Sequence, residues 1–207
     1  MKPTLNLASL LCLALIQSSF ATPPESFLVV NDGDPRISQW SAKSGTFTRD
    51  VALLTDANLP FKTNSDIEWY KGHFFSIAAN DPRIRLFLAD GTFSRDVGIL
   101  HDQNGPVLNQ TGIAFDGTYF YTTAPGDARV RQFLATGEYL QDLTELRDSA
   151  GKVTSVSGLS VSEGMIYAVC KGSPEIKKFD FGGQFIGTVT SLSENVRPFL
   201  NVTGLSV

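Results

Sequence analysis

From Phe27 onward the chain is written in short apolar runs cut by turn residues. One stretch shows the pattern plainly. Gly112-Ile113-Ala114-Phe115, Tyr119 to Thr123, Arg129 to Leu134 and Glu138 to Leu143 follow one another. Asp116-Gly117, Pro125-Gly126-Asp127 and Thr136-Gly137 separate them. β-branched and aromatic runs bounded by such residues predict strands. No helical spacing of apolar positions runs through the unit.

The unit recurs. Gly45, Gly91, Gly137 and Gly183 stand 46 residues apart, and Phe47, Phe93, Tyr139 and Phe185 keep the same step. So do Leu54, Leu100, Leu146 and Leu192, and Ile67, Ile113, Leu159 and Leu205. Another aromatic, Trp40, Phe87, Phe133 or Phe179, precedes each of these glycines. Four antiparallel strands in a repeat of about 46 residues is the size of a propeller blade. The predicted fold is all-β, a β-propeller of four-stranded antiparallel blades.

Phe27 to Val207 holds close to four repeats. The first repeat lacks its inner strand, because Phe27 to Val30 aligns with the second strand of the others. The last segment, Val202 to Val207, aligns with an inner strand. Gap and orphan strand fit each other, which predicts four blades with the terminal strands joined in one of them. The alternatives are a piece of a six-bladed propeller, or two chains sharing one eight-bladed ring.

Asp34-Pro35-Arg36-Ile37, Asp81-Pro82-Arg83-Ile84 and Asp127-Ala128-Arg129-Val130 open corresponding runs, with Ser173-Pro174-Glu175-Ile176 in the fourth repeat. An aromatic follows, then, in the second repeat, Asp90-Gly91-Thr92-Phe93. This resembles the NHL repeat, an Arg-Ile pair, an aromatic, then Asp-Gly and a second aromatic. The resemblance covers the repeats as a whole and is weakest in the fourth, where Glu175 replaces the arginine. It implies a propeller and leaves function open among scaffolds, ligand binders, lactonases and lyases.

Residues 1–21 read as a secretory signal: Lys2, an apolar stretch from Leu5 to Ile16, and small residues at Ser19 and Ala21. The mature domain is then 22–207, secreted or periplasmic, with no membrane attachment once the signal is removed. Cys170 is the one cysteine left, in an apolar run that reads as a buried strand, so no internal disulfide is expected. The formal net charge of −4 and 18% charged residues argue against nucleic acid as a partner.

Two charged sets stand out. The loops leading from one blade to the next carry Asp56, Asp102, Asp148 and Glu194; the loops between second and third strands carry Arg36, Arg83 and Arg129. On one end of a ring they form a candidate binding surface for a charged small molecule, glycan or protein segment. Repetition in every blade equally suits turn capping and loop pinning. The repeat breaks at Asp66 and Glu68, which stand where the other inner strands carry Gly112, Gly158 and Gly204, and Ala114, Ser160 and Ser206. Two residues apart on a strand, they face the same side near the axis. They are the candidate metal ligands, for Ca²⁺, or an acid–base pair. Hydroxyls at Ser65, Thr111, Ser157 and Thr203 precede the inner strands and suit capping or a cation.

His73 and His101 lie on opposite ends and lack metal-ligand spacing with any partner. The expected role is therefore a non-enzymatic ligand-binding or protein-interaction module with no cofactor. The alternative is a lactonase of the gluconolactonase type with a channel cation, which the resemblance to such propellers implies.

Overall fold

The computed structural model describes residues 24–207 apart from 32, 58 and 196. The signal-sequence expectation over 1–21 falls outside them. The described residues form strands and turns without a helix.

Four sheets of four antiparallel strands form a four-bladed β-propeller. Blade 2 runs from inner to outer strand as Asn64–Tyr70, His73–Ala78, Asp81–Leu88 and Phe93–Ile99. Blade 3 is Gly112–Phe115, Tyr119–Thr123, Arg129–Leu134 and Tyr139–Glu145; blade 4 is Val156–Ser162, Met165–Cys170, Glu175–Asp180 and Phe185–Ser191. Blade 1 is made from both ends of the repeat array. Val202–Ser206 is its inner strand, paired with Ser26–Asn31 through Leu28–Ser206 and Val30–Gly204, and Asp34–Ser41 and Phe47–Leu53 follow outward. The predicted strand exchange is therefore present.

The repeated columns are the core. Ile67, Ile113, Leu159 and Leu205 are fully buried, as are Leu54, Leu100, Leu146 and Leu192. In every blade the buried aromatic of the third strand meets its partner at the start of the outer strand edge-on. The pairs are Trp40–Phe47, Phe87–Phe93, Phe133–Tyr139 and Phe179–Phe185, with ring centroids 5.7 to 5.8 Å apart. Such pairs contribute about 0.5–1.5 kcal/mol each beyond their buried area.

The connections between blades hold short hairpins whose two-residue strands the sequence pattern does not announce. They pair Thr55–Asp56 with Leu59–Pro60, His101–Asp102 with Gly105–Pro106, Arg147–Asp148 with Gly151–Lys152, and Ser193–Glu194 with Arg197–Pro198. Each hairpin docks on the following blade. The N–H groups of Thr55, His101 and Arg147 donate to the carbonyls of Gly91, Gly137 and Gly183, and Ser193 donates to Gly45 of blade 1, all at 2.8 to 2.9 Å. The fourth of these bonds closes the ring within one chain.

Candidate functional site

The inner strands approach so closely that the axis is shut. A Cβ on Gly158 would lie 2.8 Å from the Cα of Gly204, and one on Gly204 2.8 Å from the Cα of Asp66. Three glycines in this layer leave room for one side chain, and Asp66 supplies it. Its Oδ1 accepts the N–H groups of Ile67 (2.8 Å) and Leu205 (2.7 Å), and its Oδ2 those of Ile113 (2.6 Å) and Leu159 (2.9 Å). One carboxylate thus binds one backbone donor from each of the four inner strands. At this level a fully buried carboxylate plugs the axis, where the lactonase reading places a channel cation.

One layer along the axis lies Glu68, 2% exposed. Ser206 donates to its Oε1 (3.0 Å) and Ser160 to its Oε2 (2.8 Å). Those hydroxyl oxygens accept the backbone N–H groups of Trp69 and Val207 in turn (2.8 and 3.1 Å), which aims both hydroxyl hydrogens at the carboxylate. Beyond Glu68 the axis widens into a blind pocket of about 450 Å³. Trp69, Tyr70, Phe115 and Phe181 line it, with Asp116 and Glu163 towards its mouth. This end carries the turns between inner and second strands. The pocket is a feature the sequence did not reveal, although its floor residue was singled out.

Burial pushes the carboxyls of both Asp66 and Glu68 well above the usual range. The four N–H groups oppose this at Asp66; at Glu68 the two serine hydroxyls oppose it and the Asp66 charge adds to it. A proton on Asp66 would displace an N–H donor, so Glu68 takes it first. A raised carboxyl holds its proton better in the folded state, so it favours folding below its ordinary value of 4.5 and loses that contribution as pH rises through the folded value. The melting temperature is expected to rise on acidification from pH 8 towards 5. Below that, Asp34, Asp81 and Asp127 become protonated. Hydrogen bonds from Arg36, Arg83 and Arg129 hold these three below the usual range, Asp127 at about 2. Their contribution is present above the ordinary value of 3.8 and fades as pH falls towards the folded values. In Glu68→Gln the slope between pH 5 and 8 should flatten; an unchanged slope would remove Glu68 as its source.

On the opposite end, the predicted arginines open the third strands rather than lying in loops. Each is held by its own blade. Arg36 meets Asp34 at 2.6 Å and Asp50 at 3.5 Å; Arg83 meets Asp81 at 2.7 Å and Asp96 at 3.4 Å; Arg129 meets Asp127 at 2.7 Å and Asp142 at 2.9 Å. Arg85 and Arg131, which the sequence reading passed over, join Asp81 and Asp127 as well. The Arg-x-Arg step of Arg83 and Arg129, which puts both side chains on one strand face, was the available signal.

Asp56, Asp102, Asp148 and Glu194 end the first strand of each hairpin. Asp102 and Asp148 cap their turns by accepting the N–H groups of Asn104 (2.7 Å) and Ala150 (2.9 Å), and Asp148 also pairs with Lys177 at 2.6 Å. The structure brings Arg129 and Asp102 together in a cleft of about 560 Å³ between the hairpin that follows blade 2 and the outer strands of blade 3, with His101, Arg131 and Asp142. Of the hydroxyls expected before the inner strands, Thr111 precedes its strand while Ser65, Ser157 and Thr203 lie at the second position of theirs. Thr111 donates to Val156 O (2.8 Å) and Ser157 to Val202 O (3.0 Å) of the next blade.

No family model matches the chain, and no characterised protein matches it in sequence. Solved structures align with it in three dimensions. The computationally designed Ika8 protein is 20% identical, over 81% of this chain and 49% of that one, with a TM-score of 0.35. Glutaminyl cyclase of Myxococcus xanthus is 10% identical over 80% and 74%, with a TM-score of 0.52. The calcium-binding protein regucalcin of Agrobacterium tumefaciens is 15% identical over 88% and 60%, with a TM-score of 0.44. The chain spans about half the length of the designed protein. At such identities the likeness to the cyclase supports the propeller fold alone.

Proposed function

We propose that this protein is an exported, NHL-like propeller that binds a small ligand in the axial pocket without transforming it. The observation that carries the reading is the blind pocket of about 450 Å³ floored by Glu68, at the point where one blade departs from the other three. Ligand sites are concave and oriented by a few polar groups; this pocket sets a buried carboxylate beneath aromatic walls, with polar and apolar surface in similar share. The charged rings at the other end are weaker candidates, because each of the three arginines already faces two carboxylates. A hydrolase would need a carboxylate able to reach substrate or a channel cation. Asp66 is sealed by backbone donors, and Glu68, bonded only to two serine hydroxyls, has no second carboxylate or histidine bonded to it to share a proton transfer. Among the described residues no cluster of His, Cys, Asp or Glu could hold a metal ion.

A thermal-shift panel of amines, carboxylic acids and monosaccharides tests the site. The expected result is stabilisation by some member that disappears in Tyr70→Ala and persists in the double variant Arg83→Ala, Arg129→Ala. Loss in the double variant with retention in Tyr70→Ala would move recognition to the charged end.

A further inference from the structure

We infer that the axial pocket takes a small organic cation, an amine or quaternary ammonium group, seated against Glu68 among Trp69, Phe115 and Phe181; this rests on the axial pocket being the binding site.

The charge is one-sided. Asp66 and Glu68 are stacked along the axis, both buried, and among the described residues neither forms an ion pair with a lysine, arginine or histidine. The pocket lining adds Asp116 and Glu163 and holds no basic side chain. Asp116 keeps its charge turned inward to the N–H groups of Thr118 and Tyr119 and the hydroxyl of Tyr121, which leaves Glu163 the freer acid at the mouth. A buried charge is tolerated when it is paired. A ligand cation at Glu68 supplies the partner, since each Glu68 oxygen receives one hydroxyl and retains a second acceptor site.

The walls select the kind of cation. Aromatic faces attract ammonium groups, most strongly where water is excluded. The Lys71 ammonium, outside the lining, lies 5.0 Å from the Tyr70 ring centroid and competes for that ring, so Trp69, Phe115 and Phe181 are the rings left to a ligand. A calcium ion takes six to eight oxygen ligands, whereas here the serine oxygens are committed to backbone N–H groups and Asp66 is enclosed by four more. An alkylated ammonium needs one carboxylate and a set of rings, which is what the pocket offers.

The test is calorimetry on the full chain at pH 8 with three probes: choline, its uncharged isostere 3,3-dimethylbutan-1-ol, and CaCl₂. Saturable choline binding is expected, at least tenfold weaker in Glu68→Gln and severalfold weaker in Phe181→Ala, with the isostere at least tenfold weaker than choline. No choline binding, or equal binding by Glu68→Gln, overturns the proposal. Calcium binding lost in Glu68→Gln, without choline binding, overturns it in favour of an inorganic ion. Isostere or panel acids binding in a Tyr70-dependent way, with choline silent, overturns the cation and leaves the pocket as the site. Silence of every probe and of the whole panel ends both readings.

Discussion

Asp66→Ala is expected to unfold at much lower urea than the parent protein, with a loss of about 3–5 kcal/mol. The physical reason is the number of donors that depend on one side chain. Truncation orphans the N–H groups of Ile67, Ile113, Leu159 and Leu205 at the tightest point of the ring. Each buried unsatisfied donor costs roughly 1–3 kcal/mol, and relief from burying a carboxylate offsets part of the sum. Against a typical total of about 5–15 kcal/mol the remainder is large. Asp66→Asn keeps one acceptor oxygen but turns an NH₂ group towards donors, so its loss should be intermediate. Amide hydrogen exchange gives a second view: the four amides should exchange slowly together in the parent and speed up together in the variant. An alanine variant within about 1 kcal/mol of the parent would mean that water replaces the carboxylate and that the plug is dispensable.

The ring of four blades was readable because every 46-residue column has one physical job. Leu54 and its equivalents fill the gaps between blades, and Trp40 and its equivalents meet the next aromatic edge-on, so repetition in sequence is repetition of contacts. Closure in blade 1 was readable for the same reason, since a missing inner strand and a surplus one match. The shut axis was not. Small residues at Gly112, Gly158 and Gly204 announce close packing, but whether a channel survives depends on the distance across four strands, which no single strand encodes. The arginine partners were ambiguous for a different reason. Both the hairpin acids and the aspartates two residues before each arginine were in view, and only the strand geometry, which sets residues two apart on one face, decides for Asp34, Asp81 and Asp127. The hairpins themselves were missed because two-residue strands are too short to show alternation.

The second large effect is expected at the glycines that join blade to blade. Gly45, Gly91, Gly137 and Gly183 all have positive φ, between 66° and 92°. An alanine Cβ at Gly91 would lie 2.6 Å from the carbonyl carbon of Leu53, and one at Gly137 would lie 2.6 Å from that of Ile99. Those atoms belong to the backbone of the preceding outer strand, so relief requires the two blades to separate. Separation in turn stretches the bonds from Thr55 to Gly91 and from His101 to Gly137. Gly126 supplies the control, because its φ of 75° is equally left-handed while nothing lies within 4 Å of a Cβ there. Gly126→Ala pays only for the backbone conformation, about 1–2 kcal/mol. Gly91→Ala adds the clash and the lost bond, for about 3 kcal/mol or more in all. Urea midpoints of the two variants, measured side by side, separate the terms. Equal losses would mean that the blades yield without cost, and that the 46-residue glycine column reflects turn geometry rather than the docking that closes the ring.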